Sequence, residues 1–188
     1  MSGDLLAERL VDLVDRPAAV VVVTGGIGCG KSTACRRAAR RLRERGIPTG
    51  GIIAEGGLES GETSGYDVVD LATGTRRALA RTHPPGIPVG RFFMDPAGLE
   101  FARACLRQAA RTARIAFVDE IGPWELRGGG LAESVRALLA ERMILVLVVR
   151  EELVAAARST FGIRDVLAWR VPGPSAPKTQ DFDRSSGR

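Results

Sequence analysis

Val20-Val21-Val22-Val23-Thr24-Gly25-Gly26-Ile27-Gly28-Cys29-Gly30-Lys31-Ser32-Thr33 is the stretch that decides the fold of this chain. An apolar, β-branched run reads as a buried strand. It ends in Gly25-x-x-x-x-Gly30-Lys31-Ser32, the full phosphate-loop pattern, and a helical pattern follows at once. Each residue type has a physical task. Glycines let the backbone turn so that its N–H groups approach phosphate oxygens. The helix that begins here adds free N–H groups and a partial positive charge. Lys31 is placed to reach β- and γ-phosphates, and the Ser32 hydroxyl to ligate Mg²⁺. The expected nucleotide-binding residues are therefore Gly25, Gly26, Ile27, Gly28, Cys29, Gly30, Lys31, Ser32 and Thr33. Glycine is abundant, with 23 residues, so glycine matches alone carry little weight. Lysine is scarce: only Lys31 and Lys178 occur, and nearly every other basic position is Arg. A lysine in the one slot that needs a compact ammonium is therefore informative.

The second half of such a site is Ile115-Ala116-Phe117-Val118-Asp119-Glu120. An apolar strand delivers two acids to the carboxyl edge of a sheet, where ligands bind in α/β folds. Asp119 is expected to join Ser32 in holding Mg²⁺. Glu120 is expected to polarise an attacking water. Arg150 follows the apolar run Ile144–Val149 and should emerge at the same edge. It is a candidate to stabilise charge on a transferring phosphoryl group; a salt bridge to Glu120 or Glu151 is the competing reading. Trp124 follows closely, and packing in a crevice is preferred over a place on the nucleotide. Cys29 stands beside a helix N-terminus, which makes it a candidate redox liability.

Periodicity organises the rest. Helical patterns cover about 4–15, 32–45, 96–113, 131–141 and 151–161; strands are expected near 18–23, 115–118, 143–149 and 166–169. Short β-type pieces between turns fill 50–79 and suggest a small antiparallel extension of the sheet. Residues 82–89 read as a loop, with the sole histidine, His83, exposed. The alternation implies an α/β three-layer sandwich with a mainly parallel sheet. Residues 1–171 are expected to form one domain, and 172–188 a disordered tail.

The chain of 188 residues is 45% hydrophobic and 26% charged, ordinary values for a soluble domain. No apolar run is long enough to span a bilayer, and the first residues carry no signal-peptide core. Three cysteines show no metal spacing or disulfide framework. A cytoplasmic protein with no membrane partner is the expectation. The formal net charge is +5. Arg36, Arg37, Arg40, Arg41, Arg43 and Arg45 lie mostly opposite Ala34, Ala38, Ala39 and Leu42 at helical spacing. A solvated helix face is preferred over a nucleic-acid contact. No segment identifies a protein partner.

These motifs together resemble the thermophile-type, or cancer-related, nucleoside-triphosphatase family. The likeness rests on Gly25–Thr33, Gly51-Ile52-Ile53 through Gly65-Tyr66, Val89-Gly90-Arg91-Phe92, and Val118-Asp119-Glu120-Ile121-Gly122-Pro123-Trp124-Glu125-Leu126. It spans about 18–170, and the look is that of a bacterial branch. It implies a RecA-like P-loop fold and slow Mg²⁺-dependent hydrolysis of ATP, GTP and other nucleoside triphosphates. Family arginines in the segment after the second strand are replaced by Gly57 and Thr63, and Tyr66 stands for Phe. Two other classes stay open on the residues alone: a phosphotransferase with an acceptor pocket in 51–95, and a nucleotide-dependent adaptor or switch. The absence of an Asn-Lys-x-Asp motif argues against a GTP-specific switch.

Overall fold

The valine run forms β1 (Ala19–Thr24), and its side chains alternate between two cores. Val21 and Val23 face one helical layer, while Val22 faces the other, as the two-residue period of a strand requires. The computed structural model describes residues 2–59 and 62–173. The tail expected over 172–188 thus falls, from 174 onward, outside the described residues.

On one face lie α1 (Ser2–Val11) and α2 (Lys31–Glu44). Leu6, Leu10, Ala38 and Leu42 pack there against Phe117 and Val146. Ala at 34, 38 and 39 lets α2 sit close to the sheet. On the other face lie α3 (Pro96–Thr112), α5 (Ala132–Leu139) and α6 (Val154–Phe161), through Leu106, Ala109, Val135, Leu138 and Ala157. Asp95 caps α3 by accepting from the Ala97 N–H at 2.9 Å, and Pro96 occupies the first turn. A four-residue helix, α4 (Pro123–Leu126), and a 3-10 turn (Glu151–Leu153) follow the two strands that reach the site.

Between the layers runs one sheet. Its strands are β1, β2 (Thr49–Glu59), β3 (Glu62–Asp70), β4 (Arg76–Arg81), β5 (Ile87–Val89), β6 (Phe92–Met94), β7 (Ile115–Ile121), β8 (Ile144–Val149) and β9 (Leu167–Arg170). Among the described residues the spatial order is β5-β6-β4-β3-β2-β7-β8-β1-β9. β8 therefore separates the phosphate-loop strand from the acid-bearing strand β7.

The expectation of a RecA-like, mainly parallel sheet with a small antiparallel extension is overturned. Pairs β1–β8, β1–β9, β2–β7 and β7–β8 are parallel. Pairs β2–β3, β3–β4, β4–β6 and β5–β6 are antiparallel. The α/β sandwich is evenly mixed. The reason lies in the connections. From 49 to 94 the strands follow one another with short turns and no helix, and a short link can only return antiparallel. The isolated β-type pieces seen in the sequence join into long β2 and β3. Residues 87–89, expected in a loop, form β5. No helix among the described residues is long and apolar enough to cross a membrane.

β2 lies very close to β7 at Gly51, which pairs with Phe117. Gly51 has φ +97°, and a Cβ there would stand 2.1 Å from the Phe117 carbonyl oxygen. Neither backbone has slack to yield. Gly51→Ala is therefore expected to lower stability by about 2–4 kcal/mol, read as a drop in the denaturant midpoint. A wild-type midpoint in the variant would contradict this packing.

Candidate active site

The turn from β1 into α2 builds the phosphate cradle. Gly25 has φ +143°, and a Cβ there would strike the Val171 carbonyl and the Cys29 sulfur. Gly30 takes the left-handed conformation at the start of α2, where no side chain caps the helix. The first helical N–H groups are thus free for an anion. Lys31 folds over the loop: its Nζ donates to the carbonyls of Gly25 at 3.0 Å and Gly26 at 2.8 Å, with Cys29 Sγ at 4.0 Å. Ile27 stands 83% exposed at the loop crest. The side of the loop above Gly26, Gly28 and Gly30 is open.

Asp119 and Glu120 lie within β7, which continues to Ile121 rather than ending before them. Asp119 is buried, and its Oδ2 accepts from the Ala54 N–H at 3.2 Å. Burial pushes its carboxyl up to about 7, against the hydrogen bond from Ser32, which favours the ionised form. Glu120 adds to the rise; the Ala54 N–H and Lys31 oppose it. The contact between Ser32 and Asp119 brings together the two residues expected to hold Mg²⁺.

Arg150, just past β8, settles on Glu120. Its Nε and Nη2 donate to Glu120 Oε1 at 3.1 and 2.9 Å. That pair raises the Arg150 pKa further, chiefly through the hydrogen bond. Glu120 Oε2 has no protein partner among the described residues. Trp124 is half-buried against the α3–α5–α6 core and covers Gly129, where a Cβ would lie 2.1 Å from its Nε1. It packs against that core.

Glu125 is a residue whose task the sequence did not disclose. It is buried, and its two oxygens accept from the N–H groups of Gly122 at 3.1 Å and Leu131 at 3.4 Å. It ties down the loop that leaves the acid pair. Its signal was the three-residue spacing to Gly122, a capping arrangement. Tyr66 belongs to the Gly65-Tyr66 motif on β3. Half-buried on β3, it packs edge-on to Phe92 with ring centroids 5.3 Å apart. Burial raises its phenol pKa; Glu120 raises it too, while Arg150 and Arg91 lower it. No local pattern could announce this contact, because β3 and β6 meet through the sheet. His83 is exposed and exchanges a hydrogen bond with Thr82 at 3.0 Å.

The basic helix face is largely paired. Arg36 meets Glu55, Arg37 and Arg41 meet Asp4, and Arg45 meets Glu8. Arg40 and Arg41 also reach Glu44. Arg43 donates to the Leu71 carbonyl.

No group of three or more His, Cys, Asp or Glu placed for a metal occurs among the described residues. That does not conflict with Mg²⁺, which keeps several waters and takes one or two protein ligands plus phosphate oxygens. A buried carboxylate facing a hydroxyl at the foot of a phosphate loop is a hard-oxygen donor set that fits it.

Comparison with known proteins accords with this arrangement. A family model described as NTPase matches residues 20–167. The nucleoside-triphosphatase THEP1 of Methanopyrus kandleri is 35% identical over 131 residues, 70% of this chain and 73% of that protein. The chain belongs to the THEP1-type nucleoside-triphosphatase family. The THEP1 protein of Methanothermobacter thermautotrophicus is 30% identical over 145 residues, covering 77% of this chain and 83% of its own. Among solved structures, a human cancer-related nucleoside triphosphatase is 28% identical with TM-score 0.65, covering 82% of this chain and 89% of that one. THEP1 from Aquifex aeolicus shares the fold at TM-score 0.62 and 19% identity, covering 82% of this chain and 90% of its own. These relatives are archaeal, human and bacterial, so the match is to the family at large rather than to a bacterial branch.

Glu125 gives a pH test. Burial raises its folded pKa above the ordinary 4.5. The native state then holds a proton that the unfolded chain has released, so this group's stability contribution falls as pH rises. It is complete below 4.5 and is lost as pH climbs through the raised folded value. Glu125→Gln removes the titration and turns one acceptor into a donor facing an N–H. The difference in unfolding free energy, wild type minus variant, should shrink as pH rises through that window. A pH-independent difference would contradict it.

Proposed function

We propose that this chain is a Mg²⁺-dependent nucleoside-triphosphatase that converts ATP, GTP and other nucleoside triphosphates to the diphosphate and inorganic phosphate. The contact between Ser32 of the phosphate loop and buried Asp119 carries the reading. It joins the two halves of the motif at one edge of the sheet. Family membership supports hydrolysis over phosphotransfer to another acceptor.

The roles follow from the chemistry. The loop amides and the start of α2 bind the α- and β-phosphates. Lys31 exchanges the Gly25 and Gly26 carbonyls for β- and γ-oxygens. Ser32 and Asp119 would hold Mg²⁺, which supplies charge neutralisation at those oxygens. Arg150 fixes Glu120 through Oε1, leaving Oε2 to accept from a water in line with the γ-phosphorus. As the water oxygen bonds to phosphorus, the β,γ-bridge breaks and its electron pair stays with the diphosphate. The water's proton passes to Glu120. Arg150 acts in this scheme first by orienting the base.

Steady-state phosphate release with several nucleoside triphosphates tests the assignment. Glu120→Gln should retain nucleotide binding while turnover falls about 10²–10⁴-fold. Lys31→Ala should lose both, and a chelator should silence the wild type. Undiminished turnover in the Glu120 variant would remove that residue from the base role.

A further inference from the structure

The proposed reaction spreads negative charge over the γ-phosphoryl oxygens, and each cation near them counts. Lys31 serves the β,γ side. Arg150 is already neutralised by Glu120. The other arginines reaching toward β2 and β3 are paired as well: Arg36 and Arg76 with Glu55, Arg81 with Asp67. None of these offers an uncompensated positive charge.

Arg91 does. It sits in the turn between β5 and β6, exposed, and no carboxylate pairs with it among the described residues. Its guanidinium lies over the Phe92 ring, 4.8 Å from the centroid. Phe92 packs on Tyr66, and Tyr66 pairs with Gly56 across β3 and β2. A Cβ on Gly56 would stand 3.6 Å from the tyrosine ring. Two residues back on β2, the Ala54 N–H binds Asp119. Strand β2, its pairing with β3 and the two ring contacts thus link Asp119 to Arg91.

Topology puts that turn on the correct edge. β2 runs parallel to β7, so both carboxyl ends share the edge of the acid pair. Two antiparallel steps, β2–β3 and β3–β4, bring the end of β4 to the same edge. The antiparallel β4–β6 step then brings the start of β6 there. Gly90 and Arg91 therefore overhang the edge that carries the loop and the acids. They do so on the side of β7 opposite β1. A nucleotide held by the loop would present its γ-phosphate on the Asp119 side, the side from which this turn overhangs the edge.

We propose that Arg91 is a catalytic arginine supplied by the β5–β6 hairpin, contacting the γ-phosphoryl oxygens as negative charge develops. This rests on the hydrolase reading and adds a residue to it. Phe92 and Tyr66 form the stacking platform that aims the guanidinium at low entropic cost.

The experiment is steady-state hydrolysis beside direct binding of a non-hydrolysable ATP analogue. The variants are Arg91→Ala, Arg91→Lys, Phe92→Leu, Arg127→Ala and Arg111→Ala. Arg111, in the last turn of α3 at the opposite edge, controls for lost surface charge. Arg127, at the end of α4, is a competing exposed arginine. Arg91→Ala is expected to cut kcat by about 10²–10³-fold with analogue affinity held, and added guanidinium should restore part of it. Arg91→Lys and Phe92→Leu should fall between. The assignment is overturned if Arg91→Ala keeps wild-type kcat, if its loss follows affinity alone, or if Arg127→Ala takes the loss instead. An inactive wild type would defeat the hydrolase reading and this assignment together. An active wild type with an unaffected Arg91 variant defeats this assignment alone.

Discussion

One buried strand holds the site together. β7 is hydrogen-bonded on one side to β2 and on the other to β8, and every residue from Ile115 to Asp119 is buried. Its carboxyl end is therefore fixed in direction and height, and the fit at Gly51 against Phe117 leaves it no lateral play. Because β8 also pairs with β1, the phosphate loop and the acid pair are mounted on one rigid ladder. Asp119 can then be buried beside Ser32 rather than left to find it. The cost of burying that carboxyl shows in its raised pKa, and the compensation comes from a hydroxyl, a backbone N–H and the loop lysine.

Around this ladder the chain spends its positive charge on itself. The α2 arginines look in sequence like a surface for a polyanion. In the fold, acids from α1 and β2 meet most of them: Asp4, Glu8 and Glu55. Exposed pairs of this kind add little stability, but they remove much of the field that would attract a nucleic acid.

The parts of the site written in consecutive residues were legible: the loop from Gly25 to Thr33, the acids Asp119 and Glu120, and the strand–helix switches beside them. Arg150 was legible in position, and both readings of it were physically sound; only the fold shows that Glu120 takes it. The even mix of the sheet is hidden in the sequence because hairpin strands such as β2 and β3 look short when Gly and Ser interrupt them, although pairing extends them across those residues. Tyr66 and Phe92 were beyond reach for another reason. Their contact joins β3 to β6, and no spacing rule connects residues that meet only through a sheet.

The evenly mixed sheet also divides the folding problem in two. On the hairpin side, β2 through β6 pair mostly with sequence neighbours, so each contact closes a short loop. On the other side, Ala19 must find Ile144 and Val21 must find Leu167. Closing such long loops costs more chain entropy before any contact repays it. The half that carries Tyr66 and Arg91 thus meets the lower barrier. The half that carries the phosphate loop exists only once the last strands have joined, so a nascent chain has no nucleotide cradle until β8 and β9 are in place.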